Sequence, residues 1–171
     1  MDLAFTRGDG RRHHITAVRD DRVVGYYAMA DYGTALPHDM AHVVVESVFD
    51  LPWGFWGLVA AGGRFETLNR AAVRTPGVRR TDPLVERYRS DLLVAEGLVN
   101  LFHQLQVGGD DDPASYVREA ALVCAECGRE LPTAVCTEAV VLARRALEDL
   151  NARWQSTPAG ETLRLEFPLP F

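Results

Sequence analysis

Two histidines four residues apart, His38 and His42, stand in the segment Pro37-His38-Asp39-Met40-Ala41-His42-Val43-Val44-Val45-Glu46. On a helix, residues i and i+4 share a face and lie about 6 Å apart along the axis. Two imidazoles so placed converge on one divalent ion, because each offers a nitrogen lone pair and both rings project the same way. Asp39 puts a carboxylate beside them, the residue type that acts as a base on a metal-bound water. Glu46 is at i+8 from His38, about 12 Å along the axis, too far to share one ion with it through bonds near 2 Å. Its expected role is on His42, accepting the hydrogen of the ring nitrogen that faces away from the ion and so orienting the ring.

Two ligands do not make a site, and a third must come from another element. The stretch 92–105 is nearly all apolar, yet Glu96, Asn100 and His103 recur in it at i, i+4 and i+7. Polar groups on a buried helix need partners. This stripe is therefore expected to face the histidine pair, with Glu96 or His103 as the third donor. The ion expected of such a nitrogen–oxygen set is a divalent metal, zinc first. Each residue also has an ordinary role. Histidines at the border of an amphipathic helix commonly make one hydrogen bond, and a glutamate in a stripe commonly pairs with an arginine. Two functional readings follow. One is a metal-binding protein with hydrolytic chemistry at that metal. The other is a non-enzymatic α+β interaction module whose histidine-rich helix is structural.

The segment His38-Asp39-x-x-His42 resembles the H-E-x-x-H motif of the zincin metalloproteases, with the base one methylene shorter. That resemblance implies zinc on His38 and His42 and a catalytic role for Asp39. The larger block, with Gly54-Phe55-Trp56-Gly57 following the helix, resembles an uncharacterised bacterial family over positions 37–62, and the tail 154–167 is in keeping with it. This second resemblance implies no activity; it implies that the block is one unit.

Other chemistry-bearing residues read as structural. Cys124-x-x-Cys127 is half of a zinc knuckle with only Cys136 left to complete it, and it falls in an amphipathic helical pattern. Reduced thiols without zinc are expected. Asp110-Asp111-Asp112 lacks the spacing and glycine of a calcium loop and reads as a helix cap. The aromatic run Trp53, Phe55 and Trp56 is expected to close the core. No Walker A, G-x-G-x-x-G or G-x-S-x-G sequence occurs, so no nucleotide cofactor is expected.

Composition bounds the class of protein. A chain of 171 residues, 47% hydrophobic and 25% charged, is enough for one domain over 1–171 and excludes a wholly disordered chain. The net charge is -6, and all 18 basic residues are arginine. Their pairs are scattered among acids, so no nucleic-acid partner is expected. No apolar run of about 18 residues offers a membrane span. The opening residues MDLAFTRGDGRRHH do not read as a secretory signal, and with three cysteines this points to a reducing cytoplasm. The partners left open are another protein or a second copy of the chain.

The elements that must position these residues follow from periodicity. Short β-rich runs at 2–7, 13–19 and 22–29, broken by Gly8-Asp9-Gly10 and Asp20-Asp21, predict an antiparallel meander. A helix over 38–49 is stopped by Pro52. A tight aromatic loop over 53–57, a short helix over 58–61 and an exposed loop over 74–81 come next. Asp82-Pro83 and Asp112-Pro113 each supply an N-cap and a first-turn proline, starting helices over 82–106 and 112–128. A last helix spans 133–154. In the strand 161–167, Leu163, Leu165 and Phe167 alternate with polar residues, and it is expected to return to the meander. The fold class is α+β: a three-stranded antiparallel meander completed by a C-terminal strand, with four to five helices on one face.

Overall fold

A computed structural model describes residues 1–8, 12–19, 23–29, 36–65 and 82–168, with backbone alone at 12, 23–29 and 106–107. Its elements are β1 (Asp2–Thr6), β2 (Arg12–Val18), β3 (Val23–Met29), α1 (His38–Val48), α2 (Phe55–Ala60), α3 (Pro83–Arg87), α4 (Arg89–Gly108), α5 (Pro113–Glu126), α6 (Thr137–Ser156) and β4 (Thr162–Glu166). The four strands form one antiparallel sheet in the order β3-β2-β1-β4. The meander expected from the β-rich runs and the returning strand expected from its alternation are both present. The turn residues Asp9-Gly10 and Asp20-Asp21 and the loop 74–81 lie outside the described residues.

Register explains why the sheet closes this way. Leu3 stands opposite Ala17 on β2 and Leu165 on β4, and Phe5 stands opposite Ile15 and Leu163. Side chains alternate faces along a strand, so these apolar residues share one face. They pack on Met40 and Val43 of α1, Trp56 and Val59 of α2, and Leu150 and Trp154 of α6. On the other face Thr6 and Thr162 share a hydrogen bond of 2.8 Å. Arg7 ties the sheet to α6: its guanidinium donates to the carbonyls of Trp154, Gln155 and Thr157 at 2.7–2.9 Å. These carbonyls lie at the C-terminal end of α6, where a cation is favoured; that of Trp154 also accepts from the Thr157 amide at 3.2 Å.

A second core lies on the far side of α1. Val45 and Phe49 pack with Leu98 of α4, Tyr116 and Ala120 of α5, and Val140 of α6. Helix α1 therefore sits between the sheet and the helical layer. It ends where Asp50 takes a left-handed conformation (φ 51°) and the Leu51 amide closes onto the Glu46 carbonyl at 2.9 Å, a Schellman-type stop.

Six helices are present among the described residues, where four to five were expected. The expected helix 82–106 is broken at Tyr88, whose φ of -107° leaves the helical range. The Tyr88 ring stacks on Trp53 with centroids 3.7 Å apart and planes within 4°, a contact no local pattern encodes. Helix α2 also begins at Phe55, inside the expected aromatic loop. Its cap comes from outside, as the site shows. Among the described residues no helix is long and apolar enough to cross a membrane.

Candidate metal centre

His38 opens α1 and His42 follows one turn later, so helical geometry alone brings their rings to one face. The ring centroids are 4.8 Å apart and the two Nε2 atoms 3.2 Å apart. From α4, Glu96 brings Oε2 to 3.1 Å from His38 Nε2 and 3.5 Å from His42 Nε2. A tetrahedral ion with bonds of 2.0–2.1 Å sets its donors about 3.3–3.4 Å apart. The triangle of Nε2, Nε2 and Oε2 has the size of one face of that tetrahedron. Among the described residues, His38, His42 and Glu96 form the group able to hold a metal ion.

The burial of the three is unequal. The His42 side chain is 1% exposed, against 34% for His38 and 39% for Glu96. The donors therefore have one dry side, where the His42 ring lies 5.9 Å from Phe55, and one side open to solvent.

Glu46 lies behind His42, fully buried. Its Oε1 is 2.8 Å from His42 Nδ1. Its carboxylate also accepts from the amide of Trp56, at 3.0 Å to Oε2, and from that of Gly57, at 3.2 Å. An isolated buried carboxylate would be costly; three N–H donors offset that cost. They also make Glu46 the remote cap of α2, whose own N-cap, Gly54, has no side chain to do it. Gly54 is required for a second reason: a Cβ there would stand 2.4 Å from Glu46 Cδ. Trp56 adds a further tie, its indole Nε1 donating to the Asp39 carbonyl at 2.7 Å.

Electrostatics follow from these contacts. Burial opposes charge on His42, but the Glu46 and Glu96 carboxylates outweigh it and hold the His42 pKa up to about 9. Hydrogen bonds from His38 and then His42 keep Glu96 well below the usual carboxylate range. Burial pushes Glu46 upward, against the pull of His42 and the α2 amides. The proton between His42 and Glu46 is placed on Nδ1, because the α2 amides favour the ionised carboxylate. With Nδ1–H aimed at Glu46, Nε2 faces His38 and Glu96, protonated below the His42 pKa of about 9 and offering its lone pair above it or to a competing metal ion.

Of the residues singled out by spacing, His38, His42, Glu96 and Glu46 are brought together. Asn100 and His103 are exposed on α4, outside the group of ligand atoms. The stretch 92–105 buries one face, through Val94, Ala95, Leu98, Val99 and Leu101, and leaves the other to solvent, with Leu93 48% exposed. Asp39 is not among the clustered donors either. The three cysteines are free, Cys124 buried and Cys136 exposed. What sequence reasoning missed is the part played by Gly54, Trp56 and Gly57. The available signal was a glycine directly before an aromatic helix start, where the missing side chain marks a close approach. No protein-family model, curated protein or solved structure matches the chain.

Proposed function

We propose that this protein binds a divalent metal ion, zinc by its donor set, on His38, His42 and Glu96, and uses it in a hydrolytic reaction. The observation that carries this reading is the meeting of three ligand atoms within 3.5 Å from helices whose residues stand 58 apart in the chain. Three protein donors leave a fourth position, the mark of a catalytic rather than a structural zinc site. The half-exposed His38 and Glu96 keep that position within reach of solvent. A dication there is balanced by the Glu46 and Glu96 carboxylates with both imidazoles neutral. An ion so held polarises a carbonyl or phosphoryl oxygen and lowers the pKa of a bound water. In this reading Asp39 is the base, and Glu46 holds His42 in its metal-binding tautomer.

Zinc titration with elemental analysis tests the proposal. The wild-type chain is expected to take up about one ion, His38→Ala/His42→Ala none, and Glu96→Gln to bind more weakly. Asp39→Asn should bind zinc as the wild type does and lose hydrolysis of an activated ester such as p-nitrophenyl acetate. A wild-type chain that takes up no zinc at neutral pH overturns the proposal. It would leave the rival reading, a non-enzymatic α+β interaction module whose histidine face only packs.

A further inference from the structure

We infer that Gly54 is a positioning residue of the metal centre, acting through Glu46 on His42. This rests on the metal-binding reading and extends it to a residue that holds no ligand atom. A series of contacts carries it. Helix α2 presents the amides of Trp56 and Gly57, which hold the Glu46 carboxylate. Glu46 holds His42 Nδ1 at 2.8 Å, and His42 Nε2 faces His38 and Glu96. Gly54 is where this series is steric rather than polar. An added Cβ would lie 2.4 Å from Glu46 Cδ and 2.7 Å from both carboxylate oxygens, well inside any tolerable approach.

Glu46 cannot yield without consequence. It is fully buried, its Oε1 is committed to His42 and its Oε2 to α2. A methyl group at position 54 must therefore drive the carboxylate off the imidazole, off the α2 amides, or both. Either displacement frees the His42 ring to turn, and a ligand whose orienting partner is lost binds metal about 10–100-fold more weakly. The same contacts give the Gly54-Phe55-Trp56-Gly57 segment a reason to accompany the histidine helix. Gly54 lets the carboxylate in and the next amides grip it. Gly57 is needed for the tight approach itself, since a Cβ there would lie within 2.1 Å of the Pro52 carbonyl oxygen.

The experiment compares wild type, Gly54→Ala, Glu46→Ala and the double variant in the full chain, with cobalt(II) as the probe. Affinity and the visible ligand-field spectrum are read together. Gly54→Ala is expected to lose about 10–100-fold in cobalt affinity and to shift the spectrum at saturation. Thr6→Ala, which removes the hydrogen bond to Thr162 on the sheet face turned away from α1 and α2, should leave the spectrum of the folded fraction unchanged. In the Glu46→Ala background the clash is gone, so Gly54→Ala should add little further loss. That variant also keeps the test open if Gly54→Ala alone fails to fold. A Gly54→Ala protein with wild-type affinity and spectrum overturns the inference, as do fully additive losses in the double variant. A metal-free readout separates this result from the metal reading itself. The His42 Nδ1–H should give a low-field, slowly exchanging proton resonance in wild type, absent in Gly54→Ala. If wild type binds no cobalt yet this resonance depends on Gly54, the metal reading falls and the positioning stands. If the resonance survives in Gly54→Ala, the positioning falls.

Discussion

At the scale of single residues, His42 decides how the site responds to pH. A metal needs the Nε2 lone pair, so it must displace whatever proton sits there. The two flanking carboxylates raise the His42 pKa to about 9, so that proton is present through the neutral range. Zinc affinity is therefore expected to fall about tenfold for each pH unit below 9, from proton competition at His42 alone. Competition titrations at pH 6, 7 and 8 would measure the slope, and a flat profile would contradict the assignment. The metal-free fold runs the other way. A raised histidine pKa contributes stability that is fully present below the unfolded value near 6.5 and lost as pH rises through 9. Much of this chemistry was legible in advance. The i, i+4 spacing brought His38 and His42 together, and the 12 Å span removed Glu46 from the ligand set and gave it to His42. Glu96 was legible only as one of three residues in a stripe. Spacing within α4 says which residues share a face, but the rotation of α4 against α1 decides which of them meets the histidines. That rotation is set by long-range packing such as Phe49 on Phe102, with ring centroids 6.0 Å apart.

At the scale of elements, the helical layer depends on how α4, α5 and α6 close around α1. Tyr116 stands at that junction. Its side chain is fully buried against Phe49 and Phe102, and its hydroxyl donates to the Leu98 carbonyl of α4 at 2.8 Å. Tyr116→Phe removes the donor and leaves no buried hydroxyl unpaired, so it should cost only about 1 kcal/mol. Tyr116→Ala also removes the ring and leaves a cavity, and should cost about 3–5 kcal/mol. Urea unfolding of the two variants measures both, and a Phe variant as unstable as the Ala variant would show that the hydrogen bond carries the joint. Helix starts were readable where a side chain announces them: Asp82 and Asp112 both accept from the amide two residues on, at 2.9 and 3.0 Å. The start of α2 was not readable, because its cap is the side chain of Glu46, ten residues before the Trp56 amide it accepts from. The break at Tyr88 was hidden for the same kind of reason, since the ring it stacks on belongs to the distant Trp53.

At the scale of the whole molecule, the candidate ion would join the two layers of the fold. His38 and His42 belong to α1, which packs on the sheet through Met40 and Val43 and on the helices through Val45 and Phe49. Glu96 belongs to α4, which packs within the helical core. An ion held by all three therefore exists only while α1 and α4 are docked, and its binding energy becomes folding energy. At free zinc one hundred times the dissociation constant, the folded state should gain about 2.7 kcal/mol. For a domain of this size that corresponds to a rise in Tm of about 5–11 °C. Two features of the chain make this an upper bound: three free cysteines and five histidines offer the unfolded chain some affinity for zinc, which subtracts from the gain. Calorimetric scans with zinc, with zinc followed by EDTA, and with His38→Ala/His42→Ala separate the contributions. The wild-type Tm should rise with zinc and return with EDTA. The double variant should show no rise, and a small fall if the unfolded chain is the better ligand. An equal rise in both proteins would place the stabilising ion somewhere other than the junction of α1 and α4.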